Sequence, residues 1–471
     1  MKDLLSNLMV KSSFFKIISF PFVLLSVVYF FRVLYITGTE YSVSFILFFV
    51  SFFVVFLFFL YKKLPSISGF SIFLISFSVY FIWISNVRTI PVSDYLIYYD
   101  DAVRFLDMNF FYVWATSKYP STSLVYFFGF LILGASHLSA SMTAAACWSL
   151  QAVVVRMLAI EAGASNKVSS LIALVYAFFP SIIIYSSVVS SEASYLLFSL
   201  LALLFFLKYL NKGRFYFLVI SAILLVLAFY SRPTAIFFIA LFLSGLVLFS
   251  KRLSKPLLFF IVPVALGFFS HSVFTNQYLG FYSVNSNHGV GGYVLLFGTN
   301  QAKSGMYNQD DMNLVLNLRK EGKDEYEIKE IVKAEIYSRI TKDFSGFARF
   351  SVEEKIKNLW SPTGSVLYWS ENNKDFSVDS EYSSILTRIN IYYYYSLIFL
   401  FIAASLFYVF SRPKRLGKLD FLYLFNAVYV SMMAVFYLVF EVQARYTLSI
   451  TPFMFLAIVF MALKWRSNEQ D

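Results

Sequence analysis

Several carboxylates lie in a polar stretch that directly follows an uncharged apolar segment. The segment 68–86 carries no charge, and residues 87–121 after it contain Asp94, Asp100 and Asp101. A helix over 68–86 is long enough to cross a bilayer, which places Asp94 within about two helical turns of the membrane surface. A carboxylate held there could act as a general base that removes a proton from an attacking hydroxyl.

These acidic residues also have simpler interpretations. Ser93 and Asp94 precede a predicted helix and could cap it. Asp100 and Asp101 lie two turns further along and could orient a substrate or bind a divalent cation, although an acidic face on a solvated helix fits them at least as well. Lys118 stands where the chain re-enters the membrane, so it could contact a lipid phosphate or extend its ammonium group to the interface.

A second set of charges lies at the ends of apolar segments: Glu192, Arg232, Glu441 and Arg445, with Tyr446 beside the last. An ionisable residue at membrane depth is costly and is therefore a functional candidate. Either arginine could hold a phosphate through two parallel hydrogen bonds. Each of these residues could alternatively be an interfacial anchor.

Composition defines the class of protein that must position these residues. Of 471 residues, 59% are hydrophobic and 14% are charged, whereas soluble domains carry about 25% charged residues. The net charge of +11 does not indicate nucleic-acid binding, because the basic residues gather at segment ends such as Lys62 and Lys63, as the positive-inside rule describes. A single cysteine, Cys147, excludes an intramolecular disulfide, and the three histidines fit no metal-ligand spacing.

The expected fold is an all-α polytopic membrane protein with about twelve transmembrane helices and both termini in the cytoplasm. Thirteen apolar segments support this expectation, at residues 13–36, 42–61, 68–86, 122–137, 139–160, 168–187, 192–210, 214–231, 234–250, 256–275, 389–411, 419–440 and 446–464. The basic clusters place both long polar stretches on the non-cytoplasmic side. Seven apolar segments lie between these two stretches, and an odd number of crossings cannot join two loops on one side of a membrane. One segment between 122 and 190 must therefore not cross the membrane, and we expect it to be one of the pair at 122–160.

Three regions follow from this pattern. Residues 1–275 form an amino-terminal membrane module, which includes the outer loop 87–121. Residues 276–388 form a small extracytoplasmic domain that holds 15 of the 27 acidic residues, and residues 389–471 form a carboxy-terminal membrane module.

The extracytoplasmic domain is predicted to be helical. Its first helix has an apolar face formed by Ile328, Ile331, Val332 and Ile336. A second helix is expected at about 344–360, with Glu353, Glu354 and Lys355 on its solvated side. The Gly- and Asn-rich run between 285 and 313 is expected to be a loop over a site.

A series of short motifs follows one another along residues 70–460. They are Pro91 to Asp94, Ala102, Lys118 with Pro120, Phe179-Pro180, Tyr185-Ser186, Ser191-Glu192, Tyr230 to Pro233, Gly298 to Gln301, Gly305 to Tyr307, Ala444 to Tyr446 and Thr451-Pro452. The order of these motifs resembles that of the C-type (GT-C) membrane glycosyltransferases, nearest to the group that uses dolichyl- or polyprenyl-phosphate sugars. Tyr95 departs from the glutamate that often follows the aspartate in this family.

The resemblance implies transfer of one sugar from a polyprenyl phosphate to a lipid, glycan or protein acceptor, usually with inversion. It implies Asp94 as the base, and no general acid is needed because phosphate is a good leaving group. Arg445 is the first choice for the phosphate, ahead of Lys118 and Arg232. The other substrate-binding candidates are Asp100, Asp101, Glu192, Glu441 and Tyr446.

The implied partners are the lipid-linked donor, the acceptor and membrane lipids, without nucleic acid; a divalent cation is the one cofactor considered. The site would face outward from a bacterial inner membrane. A polysaccharide polymerase or a lipid-linked oligosaccharide flippase is the main alternative. A secondary transporter should show internal repeats and polar groups near the bilayer midplane, and the sequence shows neither.

Overall fold

The computed structural model describes residues 2–37, 51, 61–63, 65–250, 253–285, 290–360, 365–373, 380–411 and 417–468, and this part of the chain is helical without a strand. The all-α prediction is confirmed for it. The predicted apolar segment 42–61 lies almost entirely outside the described residues, as does His288.

Twelve described helices form the amino-terminal part of the chain up to residue 279. In chain order they are α1 Lys2–Thr37, α2 Gly69–Val87, α3 Asp94–Asp107, α4 Phe110–Thr116, α5 Pro120–Leu133, α6 His137–Glu161, α7 Asn166–Ala177, α8 Pro180–Tyr185, α9 Ser191–Lys212, α10 Phe215–Ser231, α11 Ile236–Phe249 and α12 Ser254–Leu279.

Nine further helices are described after residue 289. They are α13 Val290–Thr299, α14 Gln309–Lys320, α15 Glu325–Thr341, α16 Phe344–Phe350, α17 Ile356–Trp360, α18 Ser365–Ser370, α19 Ser380–Ser411, α20 Lys418–Val439 and α21 Thr451–Asn468. A π-helical turn joins α16 to α17, and a 3₁₀ turn at Ala444–Ser449 precedes α21.

Eight of the described helices are long and apolar enough to cross a membrane. This finding confirms the expectation of a helical membrane protein. The eight are α1, α2, α6, α9, α12, α19, α20, and α21 together with the 3₁₀ turn before it; α5, α10 and α11 are apolar but shorter.

Local sequence signals set several helix boundaries. Pro120 and Pro180 occupy first-turn positions of α5 and α8, where a missing backbone N–H costs nothing. The Pro180 position explains why the predicted segment 168–187 is divided into α7 and α8. Ser93 stands at the N-cap of α3 with φ of 55° and makes no capping bond, so Asp94 is a first-turn residue rather than the cap.

Polar contacts identify two opposite ends of the helix bundle. At one end, Lys418 Nζ donates to the Glu161 carbonyl at 2.8 Å, and Lys167 Nζ donates to the Lys62 carbonyl at 3.3 Å. At the other, the Thr89 hydroxyl donates to Ser187 Oγ at 2.6 Å. The second end, where α2 finishes and α9 begins, also holds the loop 87–121, and we refer to it as the loop end.

The region 290–341 has a small apolar core of its own on the loop end. Ile328, Val332 and Ile336 of α15 are buried there, and Ile331 packs against them, which confirms the predicted face. The chain after it, by contrast, enters the main core through Ile356 and Trp360. The predicted domain limits of 276 and 388 remain predictions.

Two expectations for this region are wrong. Residues 290–299 form helix α13 rather than a loop, since the run from Tyr293 to Phe297 has enough apolar residues to bury one face. Lys355 is 1% exposed rather than solvated, because the π-helical turn changes the direction of side chains after Phe350.

Candidate functional site

The site at the loop end is organised around the guanidinium group of Arg445. This residue lies in the 3₁₀ turn Ala444–Ser449 and is 8% exposed. It donates a hydrogen bond to the hydroxyl of Tyr95, whose oxygen lies 2.6 Å from that of Tyr185. Its Cζ atom lies 4.7 Å from the ring centroid of Trp369, within the range of a cation–π contact.

This arrangement leaves donor capacity on Arg445. Among the described residues, its Nε atom has no hydrogen-bond partner. A buried guanidinium with an unused donor is unfavourable unless a ligand or water completes it. The aromatic rings fix the plane of the group, so Arg445 is suited to bind an oxyanion.

Asp94 and Lys118 form an ion pair beside this group. The Lys118 Nζ atom lies 2.8 Å from Asp94 Oδ1, and both side chains keep about a quarter to a third of their surface exposed. Burial tends to raise the pKa of Asp94, but Lys118, Arg445 and Arg232 together hold it below its usual value. The carboxylate is therefore ionised at neutral pH and can accept a proton.

Glu192 and Arg232 form a second, more deeply buried ion pair. Their side chains are 3% and 13% exposed. The Arg232 Cζ atom lies 5.3 Å from the ring centroid of Tyr446, and that of Arg445 lies 5.6 Å from the same ring. Tyr446 is thus within cation–π range of both guanidinium groups.

Glu441 is the third carboxylate of the cluster. It accepts hydrogen bonds from Gln443 Nε2 at 2.5 Å and from the Tyr446 hydroxyl at 3.1 Å. Burial raises the pKa of Glu441, Gln443 and Arg445 oppose this shift, and Asp94 adds to it. The effect of Asp94 on the pKa of Glu441 indicates that the two carboxylates lie near each other.

Asp100 and Asp101, two further aspartates of α3, differ from each other in exposure. Asp101 is buried and accepts from Arg104 at 2.7 Å. Burial raises the pKa of its carboxyl group, although Ser117 and Arg104 partly offset this effect. Asp100 is exposed on another face of the helix, so the structure does not bring it to the cluster.

The divalent cation considered from the sequence stays a prediction. Within the described residues, no group of three or more His, Cys, Asp or Glu side chains could hold a metal ion. Asp94 and Asp101 are each paired with a basic side chain, Lys118 and Arg104. The carboxylates are therefore already compensated by cations of the chain itself.

The structure adds residues that sequence reasoning did not assign to the site. Tyr95, Tyr185 and Trp369 surround Arg445, and Gln443 holds Glu441. Tyr95 was noted only as a departure from a family pattern. With 21% aromatic residues in the chain, no local signal separates these rings from interfacial anchors.

Sequence comparison gives no independent assignment. The chain matches no known family and no curated protein.

Proposed function

We propose that this chain is a membrane glycosyltransferase of the GT-C type. It transfers one sugar from a polyprenyl phosphate to an acceptor hydroxyl on the extracytoplasmic face. The observation that carries the proposal is the loop-end cluster, in which the ionised Asp94 faces Lys118, Arg445 and Arg232. A carboxylate and an oxyanion-binding guanidinium side by side are the two groups that such a transfer requires.

The reaction follows from these two groups. Asp94 takes the proton of the acceptor hydroxyl while its oxygen forms a bond to the anomeric carbon. The bond between that carbon and the phosphate oxygen breaks, and polyprenyl phosphate leaves with the bonding electrons. Attack opposite the leaving group inverts the configuration, and no second carboxylic acid is needed, unlike in glycoside hydrolysis.

Arg445 binds the phosphate of the donor in this proposal. Its Nε atom is available as a donor, and its plane is set by Tyr95 and Trp369. Developing charge on the leaving phosphate is stabilised by groups that are already oriented, which is the most effective form of electrostatic catalysis. Arg232, which is paired with Glu192, adds to the positive electrostatic potential around the phosphate. Glu441 and Tyr446 lie beside the sugar of the donor in this proposal.

We further propose twelve membrane crossings, with both termini in the cytoplasm and the loop end outside. The crossings are α1, the segment 42–61, α2, α6, the α7–α8 pair, α9, α10, α11, α12, α19, α20 and α21. Contacts support the omission of α5, because both of its ends lie near the loop end. Thr122 in its first turn lies 2.9 Å from Ser194 near the start of α9, and the ring of His137, four residues beyond its last residue, lies 5.1 Å from that of Tyr99 in α3.

The proposed setting is a bacterial inner membrane, with a lipid-linked sugar as donor and a lipid, glycan or protein as acceptor. The apolar helices hold the chain in the bilayer where a polyprenyl donor is dissolved. The loop-end cluster would then meet the donor head group at the outer membrane surface.

The test is sugar transfer from radiolabelled polyprenyl phosphates in membranes that contain equal amounts of native or variant protein. Asp94→Asn keeps the shape of the side chain but removes the base, so transfer should fall by about 10²- to 10⁴-fold. Asp107→Asn is the matched control, because Asp107 is exposed on the same helix. Its transfer rate should equal that of the native protein.

Two results would contradict the proposal. Full transfer by the Asp94→Asn protein would exclude Asp94 as the base. Absence of transfer by the native protein from all donors tested would favour a polymerase or a flippase instead.

A further inference from the structure

Lys355 is a buried lysine that the proposed reaction does not use. It is 1% exposed and lies in the π-helical turn after α16. Its Nζ atom donates to the carbonyl oxygen of Gly298 at 2.8 Å and to that of Phe440 at 2.7 Å. It therefore connects α13 to the segment that follows α20.

Two backbone hydrogen bonds reinforce this connection. The Glu441 amide donates to the Val294 carbonyl, and the Val442 amide donates to the Gly305 carbonyl, both at 2.9 Å. With the bonds of Lys355 they fix three consecutive residues, Phe440 to Val442. We call residues 440–442 the clamped segment.

The close approach of α13 to the clamped segment depends on Gly298. A Cβ atom at this position would lie 2.3 Å from the Val439 carbonyl oxygen and 2.4 Å from the Phe440 carbonyl carbon. Only glycine allows the two backbones to meet at this distance, and Lys355 then bridges them.

The environment of Lys355 shows that its burial has a cost. Burial lowers the pKa of Lys355 to about 7, and Glu441 is the charged group that acts in the opposite direction. A buried lysine is unfavourable unless its donors are satisfied. The two carbonyl acceptors therefore indicate a specific bridging role rather than filling of space.

We propose that Lys355 is a positioning residue, which fixes the clamped segment and thereby sets the orientation of Glu441 and Arg445. Arg445 is three residues beyond Val442, and Glu441 belongs to the clamped segment itself. Displacement of the segment by a few tenths of an ångström would move both groups relative to Asp94. Lys355 and the carbonyl groups of Val294 and Gly305 thus act on the site through the clamped segment.

Hydrogen–deuterium exchange tests the positioning without reference to the reaction. Lys355→Met keeps the length of the side chain but donates no hydrogen bond. The amides of Glu441 and Val442 should then exchange at least about tenfold faster, because the variant loses both hydrogen bonds of Lys355. Lys357→Met is the matched control, since Lys357 is exposed two residues away, and it should leave these amides unchanged.

A kinetic measurement separates positioning from loss of structure. This arm rests on the proposed function, in which Arg445 binds the donor phosphate. Misplaced binding groups should raise KM for the polyprenyl-phosphate sugar about tenfold, whereas a partly unfolded population would lower kcat at constant KM. If Lys355→Met prevents folding, Lys355→Gln is used instead, because glutamine keeps one donor group. It should increase both the amide exchange rate and KM, but by less than Lys355→Met.

The outcomes remain distinguishable. Unchanged exchange at Glu441 and Val442 in both variants would overturn the positioning role, whatever the enzyme does. Faster exchange with an unaltered KM would overturn the effect on Arg445. Faster exchange in a protein whose native form transfers no sugar would support the clamp and contradict the proposed function alone.

Discussion

The Glu192–Arg232 pair gives a prediction whose size follows from its burial. The two side chains are 3% and 13% exposed, so neither charge can be solvated if its partner is removed. Breaking a buried pair from one side typically costs about 3–5 kcal/mol in the free energy of unfolding. We expect this loss for Arg232→Met, and a similar loss for Glu192→Met.

The double variant is the informative one. With both charges replaced by apolar side chains of similar volume, no uncompensated charge remains, and stability should return to within about 2 kcal/mol of the native value. The coupling energy of the cycle should therefore be about 3 kcal/mol or more. It is measured by denaturant unfolding of the purified protein in mixed micelles.

An exposed pair in the same chain supplies the control. Arg319 and Glu325 lie 2.9 Å apart, with side chains 42% and 49% exposed. Pairs of this kind contribute at most about 1 kcal/mol. If the cycle at Glu192 and Arg232 gives no larger coupling than the cycle at Arg319 and Glu325, the reasoning from burial is refuted.

Two further predictions concern Asp94, the proposed base, and the backbone contact of α13. Lys118 helps to hold the pKa of Asp94 below its usual value, so Lys118→Met should raise that pKa and make transfer fail at a higher pH as the medium is acidified. A pH–rate profile of the native and variant proteins measures this shift. If transfer by the variant falls at the same acidic pH as transfer by the native protein, the prediction is contradicted. Gly298→Ala places a Cβ atom against the Val439 carbonyl and should cost about 1–3 kcal/mol of stability. Gly69→Ala, whose Cβ would meet only the Val153 side chain at 3.3 Å, should lower the unfolding temperature far less.

The cluster consists of charges that compensate one another. Asp94 is balanced by Lys118, and Glu192 is balanced by Arg232. Arg445, by contrast, is surrounded mainly by aromatic rings and retains an unused donor among the described residues. A cation without a dedicated carboxylate is the group best suited to bind an external anion, which is why we propose Arg445 as the group that binds the donor phosphate.

Much of the site could be predicted because charge in an apolar sequence is conspicuous. Asp94, Lys118, Glu192, Arg232 and Arg445 stand out against 59% hydrophobic residues. Placing them at one end required only the order of segments and the positive-inside rule. Asp100 was grouped with them by proximity in sequence, and the helical rotation of α3 leaves it exposed.

The sequence by itself determined the helical membrane class and the nearness of the charged groups to the loops. Only the tertiary structure decided which aromatic rings surround Arg445. It also decided that Lys355 bonds to α13 and that backbone hydrogen bonds hold the clamped segment. Tyr95 and Trp369 meet Arg445 across long stretches of sequence, and no periodicity records such contacts. In lipid, an apolar side chain has a similar free energy against a neighbouring helix and against a lipid tail. Hydropathy therefore indicates which segments are apolar enough to cross the membrane, but not which helix faces pack against one another.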